Sequence, residues 1–245
     1  MELDRAFEFI SHADFDVFCL QEVPEDILTR LKTLPFSITY RIDTEKTISE
    51  QIVPMYNVIL SRHTITNQSE LPFPDRWSLL PWRSRLFVRI MPSKFFSQIG
   101  NRGGLYADIT VHGVSVRVFN LHLTIAQPKW RLEEFELAML EHNSSKPTIV
   151  CGDFNTLEKP HITPLNWFLG SPLRDALLYR RERTHIERRF AEHELVNPLY
   201  GGITHPLSQS QLDHILVSHS FSIKNADILP DRMGSDHHPI RVEIS

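Results

Sequence analysis

The feature that most constrains this chain is a set of five short segments in which acid, amide or imidazole side chains accompany an apolar run. The segments are residues 17–22, 119–123, 149–155, 212–216 and 234–239. An apolar run of this length is typical of a buried strand, and one that ends in a carboxylate often only marks a strand meeting solvent. Five such segments along one chain are a much stronger signal than any one of them.

Together the five segments resemble the motifs of the endonuclease/exonuclease/phosphatase superfamily, the DNase-I-like metal-dependent phosphoesterases. The resemblance implies a four-layer α/β sandwich of two packed mixed sheets flanked by helices, with the site at one end of the sheets. It covers about residues 3–245, and a single domain over residues 1–245 is expected. The family's opening strand carries a Thr-x-Asn pattern, which does not occur before Glu22. The first strand is therefore expected to be missing, either because the true start lies upstream or because the sheet has a vacant position and the metal site has lost a ligand.

Composition limits the possible functions. Hydrophobic residues at 41% and charged residues at 23% are ordinary values for a globular domain, and nothing indicates disorder. The net charge of −4 argues against bulk electrostatic binding of nucleic acid, although a local basic patch would still bind it. Neither a signal-peptide pattern nor a run approaching about 18 apolar residues occurs, so the chain is expected to be soluble and cytoplasmic.

The coarse pattern is one of alternating strands and helices. Apolar residues at helical spacing predict a helix over residues 128–142, with further helices near 163–169 and 184–192. Strands are predicted near residues 36–42, 55–60, 85–91, 104–111, 114–121, 147–151, 212–217, 221–229 and 238–244. Mixed strands and helices without an internal repeat favour one layered α/β domain.

Phosphoester hydrolysis needs a deprotonated water, compensation of phosphoryl charge and a stabilised leaving oxygen. The motifs offer oxygen ligands and few thiolates, which favours Mg²⁺ or Mn²⁺ over zinc. Glu22, at the carboxyl end of a predicted strand, is the best candidate for a direct metal ligand; alone it would be interpreted as a carboxylate at a helix start. The resemblance makes Asp236 either a ligand of a second metal ion or a residue just outside the ligand shell.

Asp153 and Asn155 are two residues apart, so on an extended backbone they face the same way. The resemblance implies that Asp153 orients or activates the attacking water and that Asn155 holds the water or the phosphate. A Gly-Asp-Phe-Asn tetrapeptide is also typical of an Asx turn that ends a strand.

The strongest local signal is the Ser-Asp-His sequence at residues 235–237. A histidine removes a proton near neutral pH only if its orientation and tautomer are held, usually by a carboxylate on the other ring nitrogen. The resemblance makes His237 the general base and Asp213 its partner. It also allows Asp153 as the base, with His237 stabilising charge, and the sequence does not choose between the two.

His122 matches the family position that binds the scissile phosphate, with Asn120 in support. A lone strand histidine is more often a core residue, and only membership in the set of five favours function here. His214 and His238 are expected to alternate to other faces and to be structural. The remaining histidines, His205 among them, lack zinc-like spacing and are interpreted as surface or core residues.

The substrate is expected to be a phosphoester, with nucleic acid favoured over lipid. Arginines across residues 174–189 form a modest basic patch suited to a nucleic-acid backbone, although such a patch is more commonly a solvated helix face. Residues 71–87 form an aromatic, arginine-containing insertion that would stack on bases, enter a lipid interface or pack on the sheet. Three hypotheses follow: a nuclease-type phosphodiesterase, a phospholipid or sphingomyelin phosphodiesterase, and an inactive binding module.

Overall fold

The computed structural model describes residues 2–48, 51–90, 103–173 and 180–245. In chain order its main elements are α1 (Glu2–His12), β1 (Val17–Pro24), α2 (Glu25–Leu31), β2 (Ser37–Ile48), β3 (Gln51–Ser61), β4 (Thr64–Pro72), α3 (Trp82–Ile90), β5 (Gly103–Val111), β6 (Val114–His122), α4 (Pro128–Met139), β7 (Thr148–Asp153), α5 (Thr163–Phe168), α6 (Arg180–Glu192), β8 (Leu195–Val196), β9 (Asp213–Ser218), β10 (Ile223–Ile228) and β11 (Ile240–Ile244).

The strands form one large sheet and two smaller ones. The six-stranded sheet has the order β4-β5-β6-β7-β9-β8, in which only β6 and β7 run parallel. A three-stranded antiparallel sheet has the order β1-β3-β2, and β10 pairs with β11 in a two-stranded sheet. No strand in the described ranges pairs with the second edge of β1. That the family's opening strand is missing stays a prediction.

Three apolar clusters define the layers. Ile59 of β3 packs with Leu105 and Val118 of the large sheet and forms the core between the sheets. On the far side of the large sheet, Phe119 packs with residues of α4 and α6, such as Phe135 and Phe190. On the far side of the three-stranded sheet, α1 and α2 cover β1 and β3. The order helix, sheet, sheet, helix confirms the predicted four-layer α/β sandwich.

Strand alternation on β6 explains how polar side chains enter this sandwich. Successive side chains of a strand point to opposite faces, so even-numbered and odd-numbered residues of β6 face different layers. Val116 and Val118 lie in the core between the sheets, whereas Phe119 and Leu121 face the helices. The face of β6 that is directed at the other sheet therefore carries Val116 and Val118, and then Asn120 and His122 near the end of the strand.

Most predicted elements match the structure, and one does not. The helices predicted over 128–142, 163–169 and 184–192 correspond to α4, α5 and α6. The predicted strand at residues 85–91 is wrong, because residues 82–90 form α3. Its buried Ser84 and its exposed Leu86 and Ile90 follow a helical rather than an alternating period, which a short apolar run does not reveal. No helix among the described residues is long and apolar enough to cross a membrane.

Candidate active site

Three predicted site residues form a row across the large sheet. The parallel register of β6 and β7 pairs His122 with Asp153, and the antiparallel register of β7 and β9 pairs Asp153 with Asp213. The row lies at the ends of β6 and β7 and the start of β9, where these strands reach the same edge of the sheet. His122 Nε2 is 3.7 Å from Asp153 Oδ2. Three of the five predicted motifs are thus brought together by strand pairing.

His237 completes the row from the segment that precedes β11. Its Nδ1 lies 2.7 Å from Asp213 Oδ2, and its backbone N–H donates to the Ser235 hydroxyl at 3.0 Å. Burial opposes charge on the ring, but Asp213, followed by Asp153 and Asp236, outweighs it and raises the pKa of His237 to about 10. Asp236 is a predicted metal ligand and Asp153 a predicted water-activating group. A bound cation would change their effect on His237, so this pKa describes the metal-free protein.

Asp153 and Asn155 occupy a tight turn at the end of β7. The Asp153 Oδ1 accepts the Asn155 backbone N–H at 2.8 Å, and the Asn155 side chain donates to the Leu123 carbonyl at 2.9 Å. The turn is thus an Asx turn, and it also positions both side chains. Burial raises the pKa of Asp153, and Asp213 adds to this, against the opposing effects of His237 and His122. Burial thus disfavours the charged form of Asp153 more than the neighbouring histidines favour it.

The backbone is strained at two of the predicted site residues. Glu22 has φ 52° and Asn155 has φ 51°, in the left-handed region that residues other than glycine seldom occupy. Glu22 lies where the register of β1 against β3 shifts between Leu20 and Val23, so it belongs to a β-bulge. Bulges re-aim side chains and are frequent beside active sites. This observation supports a functional position for Glu22, because a simple helix-start carboxylate does not need a strained backbone.

Asn120 joins the two sheets beside Glu22. The fully buried Asn120 amide donates to the Leu20 and Val58 carbonyls, each at 2.9 Å, and accepts from the Gln21 side chain at 2.5 Å. Both amide hydrogens and the amide oxygen of Asn120 are therefore used. The prediction that Asn120 supports His122 is replaced by a role in holding β1, and with it Glu22, against the large sheet.

Two residues of this region were missed by sequence reasoning. Asp43 is completely buried, and its Oδ2 lies 2.6 Å from His122 Nδ1, so a second carboxylate orients the second histidine. It lies at a register shift of β2 against β3, between Ile42 and Thr44, just beyond the predicted strand. His205 was interpreted as a surface or core residue, yet its ring centroid is 4.8 Å from that of His237. A charged residue directly after an alternating strand was the only available signal for Asp43.

His205, Asp236 and His237 form the one group of three or more possible metal ligands found among the described residues, with ligand atoms within 4.8 Å of one another. Glu22 is not a member of this group. His205 has a lowered pKa, caused first by burial and then by His237. Carboxylate oxygens such as those of Glu22, Asp153 and Asp236 are the donors that Mg²⁺ or Mn²⁺ prefers. The pKa of Asp153 is raised first by burial, and a bound divalent cation would favour its charged form. The donor set of the site thus fits such an ion.

The basic patch and the other motif histidines have structural partners. Arg183 is buried and contacts Glu158, the Gln211 carbonyl and His214 Nε2. Arg189 pairs with Glu136. Residues 174–179 of the predicted patch lie outside the described residues. His214 stacks on Phe154, and His238 Nδ1 lies 2.9 Å from the Leu229 carbonyl, which agrees with their predicted structural roles.

Two carboxylate-oriented histidines, an acid near an amide in a strained turn, and further oxygen donors are an arrangement that can support phosphoester hydrolysis. The family model "Endonuclease/Exonuclease/phosphatase family" matches residues 2–237. The chain therefore belongs to this family, whose members are hydrolases that act on phosphoesters and generally use divalent metal ions. A comparison with curated protein sequences finds no match.

Solved structures share the fold at low sequence identity. An endonuclease/exonuclease/phosphatase from Beutenbergia cavernae is 17% identical with a TM-score of 0.65, and the match covers 100% of this chain and 66% of that one. The 3' phosphatase NExo from Neisseria, bound to a product DNA hairpin, is 17% identical with a TM-score of 0.59, covering 100% and 94%. The mannosyl-6-phosphatase Bt3783 from Bacteroides thetaiotaomicron is 18% identical with a TM-score of 0.56, covering 100% and 90%.

Proposed function

We propose that this protein is a divalent-metal-dependent phosphoester hydrolase and that its substrate is a nucleic-acid phosphodiester. The observation that carries the proposal is the row of His122, Asp153 and Asp213, with His237 paired to Asp213 at 2.7 Å. Structural residues seldom place two oriented imidazoles and a carboxylate of raised pKa at one sheet edge. The DNA-bound NExo structure supports the choice of nucleic acid.

Glu22 and Asp236 are the proposed ligands of Mg²⁺ or Mn²⁺. When bound, such an ion supplies charge compensation to the phosphoryl oxygens and lowers the pKa of water. The strained bulge aims the Glu22 carboxylate, and Asn120 holds that bulge against the large sheet. Carboxylate oxygens are the donors that both ions prefer.

The protein side chains orient the reactants and move the proton. Asp213 occupies Nδ1 of His237, which leaves Nε2 free to accept the proton of the attacking water. Asp43 holds His122 in the same way, so that His122 Nε2 faces Asp153 and the scissile phosphate. Asn155, fixed to the Leu123 carbonyl, helps to hold the water or phosphate next to Asp153. If Asp153 is the base instead, the same geometry makes His237 the group that stabilises charge.

The test is hydrolysis of plasmid, single-stranded DNA, RNA, sphingomyelin and inositol phosphate with Mg²⁺, by the wild type and by His237→Ala. Loss of a positioned base lowers turnover by roughly 10²–10⁴-fold, without loss of fold. His12→Ala, which replaces an exposed histidine of α1, is the matched control. If folded His237→Ala keeps near-full activity, or no substrate is cleaved, the proposal fails. A larger loss in Asp153→Asn than in His237→Ala would assign Asp153 as the base.

One observation favours a second candidate, a phospholipid or sphingomyelin phosphodiesterase. Trp82, Leu86 and Ile90 recur every four residues on α3 and are 72%, 47% and 71% exposed. Exposed Arg85 and Arg89 accompany this apolar stripe, and α3 contains no acidic residue. An apolar helix face flanked by arginines suits a membrane interface with anionic lipids.

Co-sedimentation with vesicles of phosphatidylserine and phosphatidylcholine tests this candidate. Replacement of Trp82 and Leu86 by Ser should release the protein from such vesicles. Leu140→Ser, at a leucine that is 78% exposed at the C-cap of α4, should not. Equal binding by all three proteins, or no binding by the wild type, excludes the lipid candidate.

A further inference from the structure

His205 lies in a turn that is tied both to the start of β9, which carries Asp213, and to the segment that carries His237. The Thr204 hydroxyl accepts the backbone N–H groups of Leu212 and Asp213 at 2.9 and 3.0 Å. The Thr204 carbonyl accepts the His238 backbone N–H at 2.7 Å. Thr204, the residue before His205, is thus bonded to Asp213 itself and to the residue after His237. These bonds hold the turn beside both residues, and the His205 ring lies beside the His237 ring.

The hydrogen bonds of His205 define its tautomer. The Ser208 backbone N–H donates to His205 Nδ1 at 3.2 Å, and the Ser208 hydroxyl lies 2.8 Å from the same nitrogen. A nitrogen that accepts a backbone N–H carries no proton, so the ring proton is on Nε2. His205 therefore offers an uncharged N–H donor, whereas a histidine that binds a metal through Nε2 needs its proton on Nδ1.

We propose that His205 is a substrate-binding residue whose Nε2–H donates to a phosphoryl oxygen beside His237. Nδ1 is occupied in both rings, by Ser208 and by Asp213, so the Nε2 atoms are the ones available to a ligand. A tetrahedral oxyanion presents several acceptors and takes donors from more than one direction. The inference rests on the proposed function, because only a phosphoester substrate would bring a phosphoryl group to His205. His205 is in this respect a binding residue that the five motifs do not contain.

The first experiment measures binding of inorganic phosphate by calorimetry, with and without Mg²⁺. His205→Leu removes the donor and should weaken phosphate binding by about 10- to 100-fold, the range for one hydrogen bond to a charged acceptor. His205→Gln keeps an N–H at similar reach and should bind within about threefold of the wild type. His12→Leu, at an exposed histidine of α1, is the matched control and should change nothing.

Kinetics and ring spectroscopy separate this contact from a purely structural one. For a cleaved substrate, KM should rise in His205→Leu and return in His205→Gln, with kcat changed less than KM. In protein labelled with ¹⁵N-histidine, the His205 ring should show the Nε2–H tautomer, and phosphate should shift its Nε2 resonance. Unchanged phosphate affinity in folded His205→Leu, or no phosphate binding by the wild type, overturns the inference.

A metal-ligand role would give a different pattern. In that case His205→Leu and His205→Gln would both raise the midpoint of a Mn²⁺ titration, and the Nδ1–H tautomer would be seen; either result overturns the inference. Failure of the proposed function is distinguishable. If phosphate binding depends on His205 but no substrate in the panel is cleaved, the hydrolase proposal fails and the binding site stands.

Discussion

Replacement of Asn120 by Leu tests whether one buried amide couples the packing of the sheets to the site. Asn120→Leu keeps a similar volume but removes three hydrogen bonds, to Leu20, Val58 and Gln21. At about 1 kcal/mol net for each bond, the free energy of unfolding should fall by about 3 kcal/mol. For a chain of this size that is a loss of roughly 6–12 °C in Tm.

The assay is urea unfolding, followed by a Mg²⁺ titration of activity at a temperature where the variant is folded. The bulge that carries Glu22 loses its attachment to β6, so the Mg²⁺ midpoint should rise more than the activity at saturating Mg²⁺ falls. Asn225→Leu, which removes one exposed bond to Asp227, is the control and should cost less than about 0.5 kcal/mol. An Asn120→Leu protein as stable as that control, or one destabilised with an unchanged Mg²⁺ midpoint, would refute the coupling.

Three further outcomes are expected. Glu22→Gln should raise the Mg²⁺ midpoint more than it weakens substrate binding, because it removes ligand charge; an unchanged midpoint would leave Glu22 a helix-start carboxylate. Asp43→Asn should lower turnover by about 10- to 100-fold through loss of the partner that orients His122, and full activity in the folded variant would contradict this. The hydrogen bond from Arg117, aided by Lys146 and Asn67 against the effect of burial, lowers the pKa of Asp108 from 3.8 to about 2. Asp108 therefore stabilises the fold above about pH 4, and this contribution is lost as the pH falls toward 2; urea unfolding at pH 6 and pH 3 should show a smaller difference for Asp108→Asn than for the wild type.

The structure brings together the predicted site residues that directly adjoin a strand in the sequence. Asp153, Asp213 and His122 each lie at the end or start of an apolar run, and their register then places them in one row. Asp43 and His205 are different. Their positions depend on a register shift in β2 and on a turn held by Thr204, and both are tertiary features. Asp43 follows the alternating part of β2 with only a charged residue as signal, and His205 lies outside any periodic segment, so local patterns do not show that either joins the site.

The misassigned α3 has a related cause. A short apolar run does not distinguish a strand from a helix unless its buried and exposed positions are known. In α3, Ser84 is buried, whereas Trp82 and Ile90 are exposed. Hydrophobicity is therefore a poor guide to which side of this segment faces the core. The same exposed apolar face is what distinguishes the lipid candidate from the nucleic-acid candidate.

The site lies where the core between the sheets changes from apolar to polar. On one face of β6, the valines at 116 and 118 fill the inter-sheet core, and Asn120 and His122 follow in the same alternation. Asn120 contacts β1 and β3, and His122 contacts Asp43 of β2, so both polar residues bind the opposite sheet. Catalytic geometry and sheet packing therefore depend on the same contacts. A change in the distance between the sheets would move Glu22 and Asp43, on one sheet, relative to Asp153 and Asp213, on the other. For that reason, a substitution deep in the inter-sheet core, such as Val118→Ala, is expected to lower activity more at limiting metal than at saturating metal, although Val118 is not a site residue.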